Sequence, residues 1–200
     1  MKCFPKKKEQ GFTLVELLIS MAMGLIITTA LSSTFLLQND AYEAQNQIID
    51  VVQTTRTALD MMSREIRMAG YNPQGAAFVF DGITYNSDEL RIKADLDGNG
   101  ALSGNEDITY LHDAETNQIQ RKTGSDEFQP FAENIQAFNF EYLDRSGNAT
   151  TVTEDIRQMR LSITVKSEDI TRTYGYQTFT ITNRVRPRNL DYPGGMGFAT

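Results

Sequence analysis

The chain has almost no cysteine. Cys3 is the only one in 200 residues, so an intramolecular disulfide is excluded even for an oxidising destination. Histidine is nearly as scarce: His112 stands alone. No cysteine nucleophile or serine in a recognisable elbow accompanies it, so the chain reads as non-enzymatic, with His112 structural. Proline is absent between Pro5 and Pro73, which leaves a long stretch without a helix breaker. Ionisable side chains are missing from Phe12 to Leu37, with the single exception of Glu16. No internal repeat is present.

That charge-poor run of 26 residues makes a helix of roughly 39 Å, against about 30 Å of bilayer core. It can therefore span a membrane. Lys2, Lys6, Lys7 and Lys8 precede it and hold the leader on the cytoplasmic side by the positive-inside rule, with the rest of the chain outside. A lone carboxylate in hydrocarbon costs several kcal/mol, so Glu16 requires a partner or a nearby interface. A secretory signal has its small-residue cleavage site after the apolar region. Here the small residue, Gly11, comes before it.

The block Gly11-Phe12-Thr13-Leu14-Val15-Glu16-Leu17-Leu18 and the apolar run behind it resemble the type IV pilin and type II secretion pseudopilin family. The resemblance implies cleavage by a prepilin peptidase between Gly11 and Phe12 and N-methylation of the new Phe12 amine. It further implies that Glu16 pairs with the Phe12 amine of a neighbouring subunit during assembly. Such a pair between packed helices offsets the burial cost of both charges. The residues alone leave open whether Glu16 pairs within one subunit or across two.

Loss of residues 1–11 removes four lysines and one glutamate from 19 basic and 26 acidic side chains. The remaining 15 against 25 give a net charge of −10, which excludes nucleic-acid binding through a basic surface. Cys3 leaves with the leader, so the mature chain lacks the C-terminal disulfide of many major pilins.

From Ala41 onward Ile48, Val52, Leu59, Met62, Ile66 and Ala69 recur at spacings of three, four or seven, with charged residues between them. This predicts an amphipathic continuation, one helix from Phe12 to Ala69, with Gly70 as C-cap and Pro73 as stop. Met61, Met62 and Met68 are expected to pack against a sheet. Beyond Gly70 the pattern alternates, predicting strands at Phe78–Tyr85, Glu89–Ala94, Ile108–His112, Ile119–Lys122, Ile135–Leu143, Met159–Lys166 and Gln177–Val185. The expected fold is α+β: a long N-terminal helix, half membrane-spanning and half amphipathic, packed on one antiparallel sheet in a pilin-like way. The division is a leader at 1–11, a transmembrane and assembly helix at 12–40, a globular domain at 41–188 and a flexible tail at 189–200.

Leu59 to Tyr71, Ile156 to Val165 and Asn183 to Leu190 narrow the resemblance to PilW-type minor pilins and J-type pseudopilins. That likeness implies a low-abundance subunit that primes or caps a type IV pilus with other minor and major pilins. It begins as an inner-membrane precursor with its C-terminal domain outside the cytoplasm. Two other readings stay open, a pseudopilin of type II secretion and a calcium-dependent adhesion module anchored by a pilin helix.

Asp95 to Glu106 fill a twelve-residue calcium loop of the EF-hand type. A hard cation takes about six to eight oxygens. The spacing offers the side chains of Asp95, Asp97 and Asn99, the Ala101 carbonyl, the Ser103 hydroxyl or a water, and both oxygens of Glu106. Gly100 stands at the sharp turn and Leu102 at the apolar anchor. The flanks read as strands, which makes a structural Ca2+ site in a hairpin rather than a helix pair that opens. The same residues also favour a solvated turn without any ion.

Overall fold

The computed structural model describes residues 11–167 and 176–190, and the chain divides into two compact units, Met1–Gln45 and Asn46–Thr200. Helix α1, Leu14–Met68, supplies residues to both.

In the first unit α1 has exposed apolar side chains, Leu14, Leu25 and Phe35 among them. By length and composition α1 suffices to cross a membrane. Its hydroxyls are returned to the helix itself: Ser20 Oγ donates to the Glu16 carbonyl at 2.7 Å, Thr28 Oγ1 to Gly24 at 2.7 Å and Thr29 Oγ1 to Leu25 at 2.8 Å. Such back-bonding hides polar groups that hydrocarbon could not solvate.

In the second unit α1 becomes amphipathic. Thr55, Leu59, Met62, Ile66 and Ala69 are all buried, and their alternating spacing of four and three lays them along one face. Complete burial of Met62 and Ile66 contributes roughly 1.5–3 kcal/mol each. Gly70, at φ +76°, ends the helix as expected. Its last carbonyls are satisfied by the chain's far end: Arg188 N–H donates to Arg67 at 3.1 Å, and Asn189 Nδ2 reaches Met68 at 3.3 Å.

Among the described residues seven strands follow: β1 Glu89–Lys93, β2 Asp107–Asp113, β3 Gln118–Thr123, β4 Gln129–Ala132, β5 Ile135–Leu143, β6 Gln158–Lys166 and β7 Thr178–Val185. They form two antiparallel sheets, β1-β2-β3-β4 and β5-β6-β7. The layout is therefore α+β, but the single sheet expected from the sequence is two. Only Glu133 and Asn134 separate β4 from β5, and Asn134 adopts φ 60°, a left-handed turn that Asn tolerates better than most residues. Met159, Leu161, Ile163 and Val165 alternate into the core from β6, joining the buried stripe of α1 and Leu90, Ile92, Ile108 and Tyr110 of the larger sheet.

Other expectations need correction. Phe78–Tyr85 is not a strand; a short 3-10 turn occupies Gly75–Ala77, and only Ile83 bridges, to Ile92. The Asn72 side chain donates to the Gly75 carbonyl at 3.0 Å and also to that of Phe78, which diverts main chain a ladder would need. β4 lies outside the predicted strands because it has four residues and contains Pro130; an edge strand tolerates the missing N–H. Of Met61, Met62 and Met68, all expected to pack on a sheet, Met62 is buried, but Met61 and Met68 are each 41% exposed. Within the expected tail, Asn189 caps α1 and Leu190 packs on the core; residues 191–200 lie outside the described residues.

Candidate functional site

Two constellations carry chemistry, and each belongs to one unit. At the start of α1, Gly11 and Phe12 are exposed, as access by a peptidase or a methyltransferase requires. Glu16 is exposed as well. Its Oε2 accepts the Thr13 backbone N–H and the Thr13 hydroxyl, both at 2.9 Å, while Glu16 N–H donates to Thr13 Oγ1 at 3.3 Å. This is a capping box, in which two groups at a helix start satisfy each other's orphan donors. Thr13 is the partner of Glu16 that reasoning about charge alone misses. Its signal is the T-x-x-E spacing ahead of an apolar run. The other carboxylate oxygen, Oε1, receives no hydrogen bond among the described residues, so a local cap coexists with an open acceptor.

The second constellation is the β1–β2 connection. Asp95 is fully buried, Glu106 nearly so and Asp97 exposed, and carboxylate oxygens of the three lie within 4.8 Å of one another. Main-chain donors organise them. Asp95 Oδ1 accepts Gly98 N–H at 2.8 Å and Oδ2 accepts Gly100 N–H at 3.2 Å. Glu106 Oε1 accepts Leu96 N–H at 2.8 Å and Asp97 N–H at 3.1 Å, and Oε2 accepts Ser103 N–H at 3.1 Å. These bonds, that from Asp97 foremost, hold the Glu106 carboxyl below the usual carboxylate range. Gly98 and Gly100, at φ +73° and +74°, supply the left-handed corners that close the loop.

The remaining predicted ligands are placed less directly. Asn99 Oδ1 accepts Ala101 N–H at 2.7 Å, and Asn99 Nδ2 donates to Asp97 Oδ2 at 2.8 Å. The Ser103 hydroxyl faces Glu106 Oε2 at 3.4 Å. The donor set is all oxygen and anionic, the kind a hard divalent cation takes and a soft metal does not. Asp95 makes no ion pair among the described residues, so the Gly98 and Gly100 N–H groups alone offset the burial of its charge. On both counts the residues present fit a calcium ion.

His112 has a structural place: its Nε2–H donates to the Ile135 carbonyl at 3.1 Å.

No curated protein matches the chain. Residues 6–32 match the family described as the prokaryotic N-terminal methylation motif, which spans the Gly11–Phe12 bond, Glu16 and most of the apolar run. The motif implies prepilin peptidase processing and pilin partners, fits a membrane-anchored precursor and points to a structural rather than an enzymatic protein. That motif, the apolar helix behind it and the α+β layout beyond support a place for this chain in the type IV pilin-like family, pilins and pseudopilins alike.

Proposed function

We propose that the chain is a minor pilin, which after cleavage at Gly11 and methylation of Phe12 primes or caps a type IV pilus with other pilins. The observation that carries the assembly reading is the half-used carboxylate of Glu16, capped on Oε2 by Thr13 and open on Oε1. The leader's removal creates an ammonium at Phe12, and the open oxygen of a neighbour's Glu16 is a fitting acceptor for it. Processing and assembly are then linked through one amine. The absence of cysteine after Cys3 supports the minor rather than the major class.

We also propose that Ca2+, held by Asp95, Asp97, Asn99, Ala101, Ser103 and Glu106, braces the second unit in place of a disulfide. The ion supplies positive charge against the buried Asp95, and the chain supplies the loop that places it.

The deciding experiment replaces Glu16 by alanine, counts surface filaments and checks by mass spectrometry that cleavage after Gly11 persists. The proposal expects cleaved protein and few filaments. Normal filament numbers with the variant incorporated would remove it.

A further inference from the structure

We propose that the groove between the end of α1 and the β1–β2 hairpin docks a segment of another protein that is apolar on one face and carries a carboxylate. The groove measures about 350 Å3 and is lined by Met61, Arg64, Met68, Leu96, Ile108 and Arg121, with others. Its apolar content is exposed where a core would hide it: Met61 and Met68 at 41% and Leu96 at 45%. Met61, Arg64 and Met68 are spaced three and four along α1 and share one stripe, next to the buried stripe of Met62, Ile66 and Ala69. α1 therefore has a second apolar seam that its own sheets leave open. Methionine is the side chain that best adapts to a guest's shape, and an apolar channel beside a helix suits an amphipathic segment.

Charge selects the guest. Four charged residues line the groove, Arg64, Glu65, Glu106 and Arg121. Glu65 is used on both oxygens, by the Tyr110 hydroxyl and by Arg121 Nη2 at 2.9 Å. Glu106 is used on both by the loop's main chain. Arg64 is exposed and makes no ion pair among the described residues. The four charges balance, and among the described residues the one that no internal partner engages is the Arg64 guanidinium, so a cation is what the groove has left to offer a visitor. A carboxylate beside Arg64 with apolar side chains over Met61 and Met68 complements both properties.

The test uses the full chain in phosphatidylcholine nanodiscs with methyl-labelled methionine. The probe is a short synthetic amphipathic helix bearing leucines one turn apart and a glutamate, and its counterpart has lysine in place of the glutamate. Saturable NMR shifts of the Met61 and Met68 methyls with the acidic peptide are expected, while buried Met62 and Met159 report an intact fold. Arg64→Glu should weaken the acidic peptide about tenfold and strengthen the lysine peptide. Equal binding of both peptides to the unmodified chain, or shifts confined to Met21 and Met23 in the apolar segment, would overturn the proposal. So would concentration-dependent shifts of Met61 and Met68 without peptide, which would assign the groove to a second copy.

Discussion

The Asp95 amide donates to the Tyr71 carbonyl at 2.8 Å, so the first residue of the acidic loop is also a partner of the segment that terminates α1. Gln74 Nε2 adds a bond to the Gly98 carbonyl. Whatever stabilises the loop therefore stabilises the helix end.

Calcium in excess is expected to raise the Tm of a fragment beginning at Ala41, by the equivalent of about 2.7 kcal/mol at a hundred times the dissociation constant. Asp95→Ala and Glu106→Ala should abolish the rise. Glu106→Ala also orphans loop N–H groups, at about 1–3 kcal/mol without any ion, so the quantity to compare is the calcium-dependent shift. A Tm indifferent to both calcium and EDTA would leave the solvated-turn reading standing.

Glu16→Gln separates the cap from the charge. The amide oxygen can still accept from Thr13, so helix formation should be kept to within about 1 kcal/mol. Filament number should fall as far as in Glu16→Ala, because the ammonium of Phe12 loses its counter-charge. Electron microscopy of surface filaments reads the result, and rescue by Gln would show that capping alone was required.

Glu65, Tyr110 and Arg121 join α1 to β2 and β3 in a partly buried network. Burial, with the Glu65 charge after it, pushes the Tyr110 hydroxyl well above its ordinary value, which keeps it a donor. Glu65→Leu alone strands Arg121 and should cost about 3–5 kcal/mol in urea denaturation. The triple change Glu65→Leu, Tyr110→Phe, Arg121→Met removes every partner together and should recover most of that loss.

Arg91 Nε donates to Asp107 Oδ1 at 2.7 Å, and its Nη2 reaches Oδ2. This bidentate bond depresses the Asp107 carboxyl below its ordinary value. A depressed carboxylate adds stability above its unfolded pKa, about 3.9, and loses it as pH falls through the lower folded value. Arg91→Ala should thus cost up to about 1 kcal/mol at neutral pH, since Arg91 is 44% exposed. The difference from the unmodified chain should close below about pH 4. A gap unchanged at acid pH would mean that Arg91 acts through packing.

Gly82→Ala should be among the most damaging single substitutions. A methyl there would overlap the Gly70 main-chain nitrogen and Cα and the Ala69 carbonyl carbon, and main chain yields less readily than a side-chain tip. A loss of about 3 kcal/mol or more is expected. Gly75→Ala, at φ +58° but in open space, should cost only about 1 kcal/mol.

Features set by local chemistry are legible in the order of the amino acids. The uncharged run, the amphipathic stripe through Leu59, Met62 and Ile66, the Gly70 stop and the alternation of β6 all follow from periodicity. The spacing of Asp95, Asp97 and Glu106 likewise indicates which carboxylates come together. Features set by competition are not legible in this way. Phe78–Tyr85 has the composition of a strand, yet Asn72 takes the Phe78 carbonyl and the Gly75 carbonyl just before it. Pro130 argues against a strand that only an edge position permits. The two-residue link that splits the sheet turns at Asn134 and is held by long-range bonds from Lys166 and to Asn117 that no local pattern announces. Met61 and Met68 carry the same letters as Met62, and only the rotation of the helix against the sheets shows which of them are left outside.

The approach of Gly82 to the end of α1 has one more consequence. A seam formed from bare main chain has no side-chain vocabulary to lose. Exposed Asp81 on one side and half-exposed Met68 on the other can vary in chemistry without touching it, whereas any added carbon at Gly82 breaks it. Tolerance at Gly82 is all or none, and a saturation scan would show it as a fully intolerant column beside a permissive one at exposed Asp81.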